Sequence, residues 1–189
     1  MKLILTRHGE TEENKNKILQ GHRHGTLSSL GKKQAEKLAL RLKTEKIDQI
    51  YTSDLGRALN TAKAIAQHHP EVSFHITKKL RERDMGEYEG KPWDKVNWNN
   101  PPKNLEPDTN LRKRAKAFID SIYKKHPNKT VLAVAHAGIN LAITTAILHK
   151  PAKEINKLGH QANTAVNIYE LKEDKNHKII LFNCDKHLE

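Results

Sequence analysis

Six residues, Thr130-Val131-Leu132-Ala133-Val134-Ala135, form an unbroken run that gives way at once to His136-Ala137-Gly138. A run with no polar alternation reads as a strand buried on both faces, and such strands belong to mainly parallel sheets. An apolar helix-length segment follows, from Ile139 to Leu148. The same order recurs upstream. Leu3-Ile4-Leu5 is a short apolar strand before a polar loop, and Ser28 to Lys43 carries Ala35, Leu38, Ala39 and Leu42 at helical spacing. Gln49-Ile50-Tyr51-Thr52 reads as the second strand. Ser53 or Asp54 is then expected to cap a helix reaching about Gln67, with Ala58, Ala62, Ile65 and Ala66 inward. Val72 to Ile76 alternates as a third strand. Leu111, Ala115, Phe118, Ile119 and Ile122 mark another helix face, and Asn163 to Leu171 and Lys178 to Phe182 read as two last strands. Repeated strand–helix alternation predicts an α/β fold, a three-layer α-β-α sandwich around a mainly parallel sheet. The length suits a single domain over residues 1–189.

In open α/β sheets, ligands bind beyond the carboxyl ends of the strands. His8 follows the first predicted strand, Ser53 and Arg57 the second, Glu82 the third and His136 the Thr130–Ala135 strand. Four segments therefore bring two histidines, arginines and an acid to one rim. Such a set suits phosphoryl transfer. A neutral imidazole held in one tautomer is a nucleophile, and arginine forks match phosphoryl oxygens. Arg7 and Arg57 fit the second role, Asn14 offers a further donor, and His136 adds another donor and positive charge. Fixed donors of this kind replace a metal ion, so no metal and no cofactor are expected. Each residue alone has a plainer reading: a loop histidine, a surface arginine, or, for Glu82, a solvated ion-pair cluster with Arg81, Arg83 and Asp84.

The formal net charge of +12 favours anionic partners. The lysines fall between apolar positions of helices, as a solvated face would place them, and no nucleic-acid-binding motif occurs. A small phosphorylated metabolite is the expected partner; nucleic acid and membrane are not, and the chain is expected to be a monomer or homodimer. No apolar run is long enough to span a bilayer. The first residues are too quickly charged for a signal peptide, and the single Cys184 fits a reducing compartment, so a cytoplasmic location is expected. His22 and His24 form a His-x-His pair, read as loop surface because no third ligand stands at metal spacing. From Leu80 to about Pro107 no period holds. The stretch from Lys91 to Pro107 is read as a lid or substrate-selecting loop. Lys91, Trp93, Lys95 and Trp98 could reach a substrate; the preferred reading is that the tryptophans pin the loop to the core.

Leu5-Thr6-Arg7-His8-Gly9-Glu10-Thr11 resembles the signature of the histidine phosphatase superfamily, in its phosphoglycerate mutase-like branch. The resemblance continues through Asn14, the Leu30-Gly31-Lys32-Lys33-Gln34-Ala35 helix start and Ser53-Asp54-Leu55-Gly56-Arg57-Ala58. It extends to Leu80-Arg81-Glu82 with Gly86-Glu87-Tyr88-Glu89-Gly90, and to Val134-Ala135-His136-Ala137-Gly138. Motifs in this order weigh far more than any one of them. The resemblance implies a phosphoglycerate mutase-like fold and a phosphohistidine on His8. Arg7, Asn14, Arg57, His136 and Ala137 would line the phosphate pocket, with Glu82 as general acid and then general base. Two nearby arginines favour an ionised Glu82, so the acid role calls for burial to oppose them. His24 and Thr26 stand where the family often has Asp and Pro, so substrate contacts are not carried over from that loop.

Mutases of the family carry a longer insertion between the acid and the second histidine. The short interval from Glu82 to His136 therefore points to an open site and a phosphatase acting on a small phosphomonoester. The alternatives are mutase-type phosphoryl transfer and, more remotely, a nucleic-acid-binding or non-catalytic member of the fold.

Overall fold

The computed structural model describes residues 1–189. Its six strands are β1 (Lys2–Arg7), β2 (Gln49–Thr52), β3 (Ser73–Ile76), β4 (Thr130–Ala135), β5 (Val166–Glu170) and β6 (Lys178–Cys184). They form one sheet in the order β3-β2-β4-β1-β5-β6. The first four are parallel, β5 runs antiparallel to β1, and β6 runs antiparallel to β5 and so in the same sense as the first four. The helices are a single-turn α1 (Glu12–Lys15), α2 (Ser29–Leu42), α3 (Gly56–Ala66), α4 (Asp108–Lys125) and α5 (Ala137–Ile147).

Strand alternation sorts the core into two halves. Leu3, Leu5, Val131, Ala133 and Ala135 face Leu111, Ala115, Phe118 and Ile122 of α4 and Ile139, Ala142 and Ile143 of α5. Ile4, Ile50, Leu132 and Val134 face Leu38, Ala39 and Leu42 of α2 and Ala58, Ala62 and Ile65 of α3. The result is the expected three-layer sandwich. Nearly every residue of α5 is buried, because this helix is flanked by α4 and covered by the Ala152–Leu158 turn as well as packed on the sheet.

Helix starts differ from expectation where the site intervenes. Ser28 caps α2, its Oγ accepting from Gly31 N at 3.0 Å. Neither Ser53 nor Asp54 caps α3: the N-cap is Leu55, with no side-chain bond. Asp54 is drawn instead to the Arg81 guanidinium, which reaches it at 2.6 and 2.8 Å. The first amides of α3 find partners outside the helix, Gly56 N donating to His24 Nδ1 at 3.2 Å and Arg57 N to His24 O at 3.2 Å. The β5 strand begins at Val166, three residues later than expected, because Asn163 and Thr164 turn away from the ladder. Thr164 takes a left-handed φ of 57°, and its amide bonds to His8 O. No helix of the chain is long and apolar enough to cross a membrane.

Candidate active site

Because β1 and β4 are adjacent and pair Arg7 with Ala135, the residues leaving them emerge side by side. His8 N donates to Ala135 O at 3.0 Å, and the His8 and His136 rings lie 5.1 Å apart between centroids. Both rings are buried. The loop after β2 runs into α3, whose first turn directs Arg57 to the same place. There Arg57 Nε donates to His8 Nε2 at 3.2 Å.

His8 is held in one tautomer. Its Nδ1 donates to Gly9 O at 2.7 Å, leaving the lone pair on Nε2, where Arg57 points. Burial, then the charges of Arg57 and Arg7, depress its pKa well below the usual histidine value. His136 is depressed likewise, by burial first and Arg57 next. Both imidazoles are therefore neutral across the physiological range, the state a nucleophilic nitrogen needs. Neither nitrogen of His136 has a protein partner, nor has Arg7 Nε. Buried donors are ordinarily paired, so Arg7 Nε and the one N–H of the neutral His136 ring point to an oxygen-rich anion as their partner.

Arg57 is fixed by carbonyls. Its Nη2 donates to Gly21 O at 2.9 Å and its Nη1 to Arg23 O. Burial lowers its pKa to about 10, with the charge of Glu82 opposing, so it stays cationic. Arg7 donates to Gln161 O and, at 3.4 Å, to His160 Nε2. Asn14 is less free than expected. Its Oδ1 accepts from Thr11 N at 3.3 Å in a capping box and from Asn163 Nδ2 at 3.4 Å, which leaves Nδ2 as its available donor.

Glu82 sits at the N-terminus of α5. Its carboxylate accepts from Gly138 N at 3.1 Å, Ile139 N at 3.1 Å and Arg83 N at 2.8 Å. The helix start thus ties His136, Ala137 and Glu82 together. Glu82 is only half-buried, so the full burial that the acid role called for is not found. Its flanking charges are not a solvated cluster. Arg81 pairs with Asp54, Arg83 with Asp108, and Arg114 with Glu106.

The His-x-His pair is structural. His24 caps α3, and His22 Nε2 donates to Glu82 O at 2.9 Å. No cluster of residues suited to a metal ion occurs in the chain. The tryptophans do not pin their loop to the core: Trp93 is 50% and Trp98 47% exposed. Trp98 instead stands edge-on to Tyr88, with ring centroids 5.5 Å apart, and lines a cleft of about 600 Å³ with Glu82, Ala137 and Gly138. Lys91 lies over the Tyr88 ring, 5.9 Å from its centroid.

Three further residues, Asn163, Gln161 and Thr61, hold the site without any motif that marks them. Asn163 Nδ2 donates to His8 O at 3.1 Å, Gln161 O receives Arg7, and Thr61 Oγ1 accepts from Gly9 N at 3.1 Å. The signal in the sequence is Asn163, a polar residue at the expected start of a strand, a position that tolerates it.

A family model for the histidine phosphatase superfamily, branch 1, matches residues 3–185. Phosphoserine phosphatase 1 of Hydrogenobacter thermophilus is 31% identical over 100% of this chain and 94% of its own. The metal-independent phosphoserine phosphatase of Arabidopsis thaliana is 31% identical over 92% of this chain and 77% of its own. The crystal structure of a phosphoserine phosphatase mutant from Entamoeba histolytica in complex with phosphoserine superposes with a TM-score of 0.88 at 26% identity, covering 100% of this chain and 99% of that one. The chain belongs to the histidine phosphatase superfamily, and its fold is that of the phosphoglycerate mutase-like phosphatases.

Proposed function

We propose that His8 is the nucleophile with which this metal-independent phosphatase hydrolyses a small phosphomonoester. The observation that carries the reading is the tautomer lock. Gly9 O holds Nδ1–H, so the buried, neutral Nε2 presents its lone pair among Arg57, Arg7 and His136. In the first step Nε2 attacks phosphorus and the ester P–O bond breaks. Its electron pair goes to the leaving oxygen, which takes a proton from the carboxyl of Glu82. In the second, Glu82 accepts a proton from water, whose oxygen attacks phosphorus. The P–N bond breaks, and its pair returns to Nε2. Arg57, Arg7, His136, Asn14 Nδ2 and the backbone N–H of Ala137 hold the phosphoryl oxygens and spread their charge.

Glu82 rests against three amides of α5 and its own loop, and it reaches the leaving oxygen by letting them go. The relatives named for phosphoserine support a small phosphorylated metabolite as substrate. The lone Cys184 supports a reducing, cytoplasmic setting. The test is phosphate release from p-nitrophenyl phosphate, with an acid-labile, base-stable phosphoenzyme trapped by rapid quench. Both are expected to vanish in His8→Ala. A phosphoenzyme that survives in that variant, or interconversion of phosphoglycerates without net phosphate, overturns the proposal.

A further inference from the structure

The cleft beside Glu82 is where an ester's leaving group must sit, since Glu82, Ala137 and Gly138 form one wall of it. Its other walls are Met85, Trp98, Pro101 and Leu105, all apolar, with Asn156 and Arg83 completing the lining. The apolar wall is fixed in place. Trp98 packs on Tyr88, its indole N–H donates to Trp93 O at 3.1 Å, and Tyr88 Oη donates to Asn97 O at 2.6 Å, one residue before the tryptophan.

The charges around the cleft are equally telling. The lining holds one cation, Arg83, and it is bound to Asp108. Arg81 precedes Glu82 in sequence, Arg114 reaches its carbonyl from α4, and each is likewise committed. Arg81 forks onto Asp54. Arg114 donates to Glu106 at 2.7 and 3.2 Å, and to the carbonyls of Glu82 and Arg81. The three arginines around Glu82 are neutralised within the fold. A carboxylate on the leaving group would enter without a counter-ion, against apolar walls.

We infer that the paired arginines and the Met85–Trp98–Pro101–Leu105 wall select esters with uncharged, apolar leaving groups, aryl or arylalkyl, over those bearing a carboxylate. The inference rests on the proposed phosphatase reaction at His8. It sets this chain apart from relatives named for phosphoserine, whose leaving alcohol carries a carboxylate.

The test matches leaving oxygens so that only recognition differs. 3-Phenylpropyl phosphate, ethyl phosphate, phosphoserine and 3-phosphoglycerate are all alkyl esters. Their kcat/KM values are compared, because breakdown of a common phosphoenzyme can equalise kcat. The phenylpropyl ester is expected to exceed phosphoserine by about tenfold or more, the scale of discrimination an apolar pocket supplies. Trp98→Ala should lower the phenylpropyl-to-ethyl ratio about tenfold. Asp108→Asn, which unpairs Arg83, should raise the phosphoserine-to-phenylpropyl ratio. Phosphoserine or 3-phosphoglycerate equal to or better than the phenylpropyl ester overturns the inference while leaving the phosphatase reading intact. Failure of every ester to release phosphate overturns the phosphatase reading and this inference with it. Unchanged ratios in both variants show that the selection arises elsewhere and overturn the assignment to these residues.

Discussion

The two buried imidazoles make the stability of the native chain depend on pH in a predictable direction. In the unfolded chain each ring titrates near the ordinary value of about 6.5. In the folded chain burial and Arg57 hold both well below it. Below pH about 6.5 the unfolded state therefore binds protons that the folded state does not, and stability falls as pH falls. Each ring contributes up to about 1.4 kcal/mol per pH unit. Integrated from pH 7 to 5.5, the two together cost at most about 2.5 kcal/mol, a large share of a typical domain's stability. Above pH 7 the penalty is gone. His126, His160, His177 and His187 are shifted in the same direction, so the wild-type slope alone does not isolate the site.

The informative comparison is with the double variant His8→Asn/His136→Asn. The asparagine at position 8 retains a donor for Gly9 O, and neither replacement titrates. Urea unfolding is followed at steps between pH 7.5 and 5.5, in buffer free of phosphate, because an anion that binds the native site would add its own stabilisation. Wild type should lose up to about 2.5 kcal/mol more than the double variant across pH 7 to 5.5. Parallel profiles would refute the reasoning: the rings would then be protonating within the fold, and the neutral nucleophile would have to be abandoned.

Other outcomes follow from single contacts. Arg57→Lys keeps a charge but leaves Gly21 O and Arg23 O without their planar donor; it should cost about 2–3 kcal/mol in urea unfolding and at least tenfold in kcat/KM. Asn163→Ala removes a donor to His8 O, and kcat should fall about tenfold with the fold unchanged by circular dichroism. A Cβ at Gly138 would stand 2.5 Å from Glu82 Oε1, so Gly138→Ala should displace the carboxylate. Hydrolysis of alkyl esters should then drop more than that of p-nitrophenyl phosphate, whose leaving oxygen needs no proton. Equal losses on both esters would remove Glu82 from the acid role.

Much of this protein was legible before any coordinates. The unbroken apolar runs at Leu3-Ile4-Leu5 and Thr130 to Ala135 mark strands buried on both faces, and the helical period of α2 and α4 states which side of each helix must be buried. The gathering of His8, Arg57, Glu82 and His136 on one rim follows from the parallel sheet, because a crossover returns every strand in the same direction. The His8 motif and its companions place the chain in its family, since their order along the chain carries the chemistry.

What the sequence left open depends on partners distant along the chain. Asp54 was a credible helix cap until Arg81, 27 residues away, claimed its carboxylate; His24 took over the cap from a loop read as surface. Asn163 and Thr164 read as the start of a strand, and only the closure of β5 against β1 turns the segment from Gln161 to Thr164 onto Arg7 and His8. The tryptophans were read as anchors because large aromatic side chains usually bury. Their placement at the mouth of the cleft follows from Tyr88 and the backbone of the 97–100 turn, which no local pattern encodes. Local periodicity determines faces and elements. Which charge meets which, and therefore which arginines remain free for a substrate, was decided only when the elements packed.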